Sequence, residues 1–176
     1  STRVRSSAAS DVYKRQGIGF QNFELSPDIE LNTLETNGTG FVRMVGYAFR
    51  HFRQQGKGHI AIISSIAGTK GLGIAPAYSA TKRFQNTYID ALEQLSRMHH
   101  LHISFTDIRP GFVATGLLND GKHYPMLMSP KTVAAHIVRA LHRKQRIAVI
   151  DWRYRLLVFF WKLIPAGIWK RMPVKN

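Results

Sequence analysis

The sequence predicts an α/β fold, part of a doubly wound parallel sheet with helices on both faces. Three observations carry this reading. Short, β-branched apolar runs alternate with longer segments of helical period. The first run, residues 59–64, is β-branched and too short for a helix, which suits a buried strand. Loops rich in Gly and Pro follow the first two runs, where a parallel sheet gathers its ligands at the carboxyl ends of its strands.

The elements follow in order. Residues 31–52 place Leu31, Leu34, Phe41, Val45, Ala48, Phe49 and Phe52 mostly at three- and four-residue steps, so they predict a helix. Gly38 inside it costs about 1 kcal/mol relative to Ala and marks either a local kink or close packing. Gly56, Lys57 and Gly58 break the pattern. Residues 59–64 predict a buried strand, and 66–76 a Gly-rich loop. Residues 77–98 predict a long helix with Tyr88, Ala91, Leu92 and Leu95 on its apolar stripe. Residues 102–108 form a second strand, closed by Pro110-Gly111. The loop 112–128 carries Phe112, Leu117, Leu118, Tyr124, Met126, Leu127 and Met128, either as a lid over an apolar substrate or as packing on the sheet. Ser129 and Pro130 supply an N-cap and a first-position proline for a third helix ending near His142. Residues 146–150 make a third strand, and 153–163 a last helix that Pro165 ends.

Composition bounds the function. The chain has 176 residues, 44% hydrophobic and 20% charged, enough apolar material for one core. It has no Cys, which excludes a disulfide scaffold and any Cys-ligated zinc or iron–sulfur site. Its eight His residues show no metal-ligand spacing with acids, so no metal site is expected. The net charge of +15 is lopsided: residues 139–176 hold ten basic residues and one acid, while 17–138 are nearly balanced. A uniformly basic nucleic-acid binder is not patterned this way, and no nucleic-acid motif accompanies the charge.

Three segments result. Residues 1–16 are small, polar and basic, with no apolar stretch for a secretory signal. They read as a non-native or disordered leader, similar to translated adapter sequence, or as a targeting peptide rich in Arg and Ser. Residues 17–151 hold the alternating strands and helices, and 152–176 a basic aromatic tail. In the tail, Trp152, Leu156, Leu157, Val158, Phe159, Phe160, Trp161, Leu163, Ile164 and Trp169 interleave with six cations. The apolar stretch is far short of the ~20 residues that span a bilayer. It suits an interfacial helix on anionic lipid, or a dimer-forming or sheet-covering helix.

The chemistry sits on the second and third elements. Tyr78 and Lys82 are four residues apart at a helix start and share a face. A phenol of pKa near 10 is a poor acid–base catalyst at neutral pH, and an adjacent ammonium brings it toward working range. Ser65, just past a strand end, offers a hydroxyl for an oxygen that gains charge. Together these are an acid, a group that tunes it and a donor that holds the oxygen: the requirements of proton transfer to a carbonyl.

With their surroundings these residues resemble the short-chain dehydrogenase/reductase family. The match is to Ile63-Ser-Ser-Ile-Ala-Gly68, to Tyr78-Ser-Ala-Thr-Lys82 thirteen residues beyond Ser65, and to Arg109-Pro-Gly-Phe-Val-Ala-Thr115. Thr36-Asn37 lies in the preceding helix, where the family carries its catalytic Asn. The resemblance covers residues 17 to about 150. It implies a Rossmann-like domain using NAD or NADP to interconvert a small-molecule carbonyl and an alcohol, the substrate apolar if the lid reading holds. Tyr78 is then the general acid or base. Lys82 lowers its pKa and binds the nicotinamide ribose. Ser65 holds the substrate oxygen, and Asn37 anchors a water linking Lys82 to solvent. Gly17, Pro110, Gly111, Val113 and Thr115 line the cofactor.

One departure matters. A complete domain of this kind needs roughly 200–250 residues and opens with a Gly-rich turn holding the pyrophosphate. Only 46 residues separate Gly19 from Ser65, too few for the units that should intervene. Gly17-Ile-Gly19 instead fits the tail of the family's N-N-A-G loop, with Lys14, Arg15 and Gln16 where Asn, Asn and Ala are expected. The chain is therefore expected to be incompetent alone, though its parent is an oxidoreductase. A cytoplasmic protein, peripheral on membrane through 152–176 and able to form homo-oligomers, is the expectation. The rival is a non-catalytic, basic membrane-surface adaptor on the same fold.

Overall fold

The computed structural model describes residues 22–115 and 123–174. The leader 1–16, Gly17, and Leu117 and Leu118 of the lid lie outside them. The sheet has three strands, all parallel, in the order β1 (Lys57–Ile63), β2 (His102–Arg109), β3 (Ile147–Val149). The register sets Lys57 beside His102, Ile63 beside Ile108, and Arg109 beside Val149.

Two helices precede β1: α1 (Pro27–Leu34) and α2 (Phe41–Gln55). Between them, where the sequence predicts one continuous helix, Glu35–Gly40 is wound as a π-helix. The kink expected at Gly38 is this wider turn. Close packing is not its cause, since a Cβ on Gly38 would meet only Leu34 Cδ1, at an ordinary 3.4 Å. Such single π turns open a helix locally and recur at functional sites. Gly56 ends α2 in the left-handed region, φ 70°.

A short 3₁₀ turn, Ile66–Thr69, follows β1, and α3 (Pro76–Met98) crosses back to β2. Helix α4 (Pro130–His142) starts as expected, with Ser129 Oγ accepting from Thr132 N at 3.1 Å. After β3 come α5 (Trp152–Leu163) and, beyond Pro165, a single turn α6 (Ala166–Trp169).

Successive strand residues point to opposite faces, and β2 divides the core accordingly. Ile103 and Phe105 pack with Ile60, Ile62, Val45, Phe49, Ile89 and Leu92 under α2 and α3. Ile108 packs with Ala148, Val133, Ala140, Tyr154 and Val158 under α4 and α5. Helices thus cover both faces at β2. At β1 the second face is open: Ala61 is exposed, and Ile63 is 59% exposed.

Some described residues of loop 112–128 pack inward, while Leu127 is exposed. Tyr124 and Met128 are buried, Phe112 lies against Tyr124 with ring centroids 4.9 Å apart, and Val113 bridges to Met128. These residues favour the packing reading of the loop over the lid.

Candidate active site

The carboxyl ends of β1 and β2 meet the start of α3. Pro76 opens that helix at N1, where a missing N–H costs nothing. The next N–H, Ala77, is satisfied by Glu30 Oε2 of α1 at 2.9 Å. Glu30 Oε1 also accepts from Asn22 Nδ2 at 2.9 Å. Ser79 Oγ accepts from Leu72 N at 3.0 Å and donates to the Pro76 carbonyl at 3.1 Å. The helix start is fixed on both sides, and with it Tyr78 and Lys82.

Ser65 reaches them from the loop after β1. Gly68 brings that loop onto α3: an added Cβ would stand 2.6 Å from Asn86 Oδ1 and 2.9 Å from the Lys82 carbonyl carbon. Only glycine permits this approach. Ser65 caps the 3₁₀ turn, its oxygen accepting from Ala67 N at 3.1 Å. Its proton reaches Pro110 O at 3.5 Å, a long contact that is readily given up. Capping and chemistry are therefore compatible in this one hydroxyl.

Tyr78, Lys82, Ser65 and Asn37 come together. Tyr78 is half-buried and hydrogen-bonded to Ser65. Burial raises its phenol above the ordinary value, and the bond to Ser65 opposes that rise. Lys82 Nζ lies 5.6 Å from the Tyr78 ring centroid, over the face, and its own pKa is lowered to about 8 by burial, which the charge of Asp107 counters.

Lys82 Nζ donates to the Ile63 carbonyl at 3.1 Å and to Gln85 Oε1 at 3.3 Å. An ammonium has three donors, so one N–H remains for a ligand hydroxyl. Gln85 Nε2 donates in turn to the Asn37 carbonyl at 2.9 Å. Gln85 thus joins Lys82 to the Asn37 carbonyl directly. Asn37 Nδ2 donates to Thr81 Oγ1 at 3.3 Å. The π turn places the Asn37 carbonyl where Gln85 meets it.

A second buried network lies beneath. Asp107, fully buried, accepts from Arg109 Nη2 at 2.6 Å and Nε at 2.8 Å, from Asn86 Nδ2 at 2.9 Å, and from Ser64 Oγ. A buried carboxylate needs such pairing. Ser64 is therefore a structural serine bound to Asp107, and Ser65 is the one presented to Tyr78.

The other cofactor-lining candidates surround the same mouth. Pro110 O accepts from Ile66 N at 3.2 Å. Gly111 faces Tyr154: a Cβ there would stand 2.1 Å from Tyr154 Cζ, so this glycine answers a ring of the protein. Val113 is half-buried and Thr115 exposed. Tyr154, which the sequence reading did not single out, ties the region down. Its hydroxyl accepts from Phe112 N at 3.0 Å and donates to Pro125 O at 3.0 Å, with Met126 O at 3.2 Å.

A nicotinamide ribose fits what is present: a spare N–H on Lys82, a phenol beside it and a displaceable serine proton. Among the described residues, no group of three His, Asp or Glu side chains is placed to hold a metal ion. Among them, too, no helix is long and apolar enough to cross a membrane.

The family model described as short chain dehydrogenase matches residues 17–123. Dehydrogenase/reductase SDR family member 7B of Bos taurus is 29% identical over 170 residues, covering 89% of this chain and 52% of the relative. An uncharacterized oxidoreductase of Mycobacterium tuberculosis is 26% identical over 140 residues, covering 80% and 55%. Among solved structures, a short-chain dehydrogenase from Sphingobium yanoikuyae in complex with NADPH superposes with a TM-score of 0.67 at 16% identity, covering 90% of this chain and 63% of that one. The chain spans about half the length of the curated relatives it matches.

Proposed function

The chain belongs to the short-chain dehydrogenase family, and on that premise we propose that it carries the acid–base residues of an NAD- or NADP-dependent oxidoreductase interconverting a carbonyl and an alcohol. The observation that carries this is the contact between the Tyr78 phenol and the Ser65 hydroxyl, with the Lys82 ammonium 5.6 Å from the same ring. The printed names of the relatives support the class of reaction, and the NADPH-bound structural neighbour supports the cofactor class.

The bound nicotinamide supplies or accepts the hydride at the substrate carbon. The protein's part is the oxygen. Ser65 turns its proton from Pro110 O to the substrate oxygen and holds it beside Tyr78. Tyr78 donates its proton to that oxygen as charge develops, and its raised pKa keeps the phenol loaded at neutral pH, which suits reduction. The resulting phenolate is stabilised by the adjacent ammonium. Lys82 would hold the ribose with its third N–H while the other two stay on the Ile63 carbonyl and Gln85 Oε1. Gln85 and the Asn37 carbonyl hold Lys82 in place. Pro110, Gly111, Val113 and Thr115 form the wall along the nicotinamide side.

Residues 1–176 alone are proposed to bind the dinucleotide weakly and to turn over little. The open face at β1, with Ile63 exposed, supports this. Titrating the chain with NADPH by fluorescence tests it; micromolar affinity contradicts it. The oxidoreductase reading is tested by assaying the gene product that carries these residues against a panel of aldehydes and ketones with NADH and NADPH. Consumption of reduced cofactor dependent on the carbonyl is the expected result. No turnover with any member, alongside demonstrated folding, favours the adaptor reading.

A further inference from the structure

Helix α5 is apolar on two opposite sides. Successive helical residues are about 100° apart, so Tyr154, Leu157, Val158 and Trp161 share one arc. Tyr154 and Val158 are buried, Leu157 packs against the core beneath them, and Trp161 meets Trp169 edge-on with centroids 5.2 Å apart. That arc explains the attachment of the helix. The opposite arc, also about 100° wide by the same count, holds Trp152, Leu156, Phe159, Phe160 and Leu163. Each of these is 50–64% exposed. A contiguous apolar stripe of this kind on a surface marks an interaction site.

Cations line both borders of the stripe. Arg153 stands on one side, Arg155 and Lys162 on the other. Arg153 is paired with Asp151, the acid that caps the helix, at 2.7 Å. Among the described residues Arg155, Lys162, Lys170 and Arg171 form no ion pair. Ten basic residues against one acid over 139–176 make a second copy of this surface a poor partner, because two such faces bring like charges together. The charge selects an anionic occupant, and the aromatic stripe selects an apolar one. A bilayer rich in acidic lipid presents both, with the headgroups at the level of the flanking cations.

We propose that α5 lies flat on an anionic lipid bilayer, with Trp152, Leu156, Phe159, Phe160 and Leu163 entering the headgroup–acyl boundary and Arg155 and Lys162 meeting the phosphates. The Tyr154 side of the helix stays docked on the protein. This surface does not depend on the catalytic reading, and its test is binding rather than turnover.

The experiment is flotation of the full chain with vesicles of phosphatidylcholine alone and of phosphatidylcholine with phosphatidylglycerol. Binding to the anionic vesicles at least tenfold above the neutral ones is expected, weakening as salt is raised. Phe159→Glu with Phe160→Glu, and separately Arg155→Glu with Lys162→Glu, should each lower it tenfold or more. Equal binding to both vesicles, no binding, or unchanged binding by both folded double variants overturns the proposal. So does a wild-type dimer that the Phe variant splits while vesicles bind neither. Should circular dichroism show that the variants unfold, tryptophan quenching by lipids brominated in the acyl chain decides. Quenching of the wild type that Trp152→Phe removes supports the proposal, and quenching unchanged by that substitution contradicts it.

Discussion

Tyr154→Phe tests how the tail helix supports the site. The ring is fully buried and lies on Gly111, where a Cβ would come within 2.1 Å of it. Phe keeps that ring, so the substitution opens no cavity and removes only the hydroxyl. The hydroxyl accepts from Phe112 N at 3.0 Å and shares its proton between Pro125 O at 3.0 Å and Met126 O at 3.2 Å. Burial raises the phenol's pKa, so the proton is present throughout the neutral range. Its loss leaves a partly buried N–H and a carbonyl without this partner. Stranding such a group costs about 1–3 kcal/mol. Urea denaturation should show a fall of that size through a lower midpoint at unchanged slope. Amide exchange at Phe112 should accelerate. A change within about 0.5 kcal/mol, the range of ordinary surface substitutions, together with unchanged exchange at Phe112, would refute the claim that α5 holds the Pro110–Met128 segment through this residue.

Three further outcomes follow from the site. Gln85→Leu removes the acceptor of Lys82 and the donor to Asn37; it should cost about 1–3 kcal/mol of stability and lower the Lys82 pKa further, read by a pH titration of the folded chain. A stable variant with an unmoved titration would contradict this. Burial lowers the pKa of Lys82 to about 8 in the folded chain, below the ordinary lysine value of about 10.4, so between those pH values the unfolded chain binds more protons and folding stability gains with rising pH. The stability difference between wild type and Lys82→Met should therefore shift in favour of the wild type by up to about 3 kcal/mol across that window, and a flat difference would sink the assignment. Gly68→Ala forces a Cβ to within 2.6 Å of Asn86 Oδ1 and 2.9 Å of the Lys82 backbone; it should destabilise by about 1–3 kcal/mol, measured by thermal unfolding, and an unchanged melting temperature would show that the loop has room to yield.

The sheet and its covering helices were legible because their signals are local. The apolar run 59–64 and the Ser129-Pro130 start each state their structure within a few residues, and strand and helix appear where they were read, with β1 beginning two residues earlier at Lys57. The meeting of Tyr78, Lys82, Ser65 and Asn37 was legible through motif spacing. The π turn at Glu35–Gly40 was not, since one extra residue per turn leaves only a glycine as a trace. Gln85 was missed because its role needs the π turn, α3 and β1 together: a helical Gln at this spacing reads as a solvated residue until the Asn37 carbonyl is set beside it. Asp107 reads from the sequence as a strand residue, because its pairing with Ser64 and Asn86 joins segments more than twenty positions apart. Tyr154 was hidden in a tail whose aromatic residues all looked alike, and only burial separates it from Phe159 and Phe160. The single turn α6 after Pro165 was too short to carry a period.

The central claim is that the Tyr78 phenol delivers the proton to the substrate oxygen. Tyr78→Phe in the gene product that carries this chain, compared with the wild type under saturating reduced cofactor, measures it directly. The account predicts a fall in kcat of at least about a hundredfold, the scale of one positioned acid, with cofactor affinity held within a few-fold because Lys82 still grips the ribose. Turnover that survives the loss of this hydroxyl undiminished would contradict it.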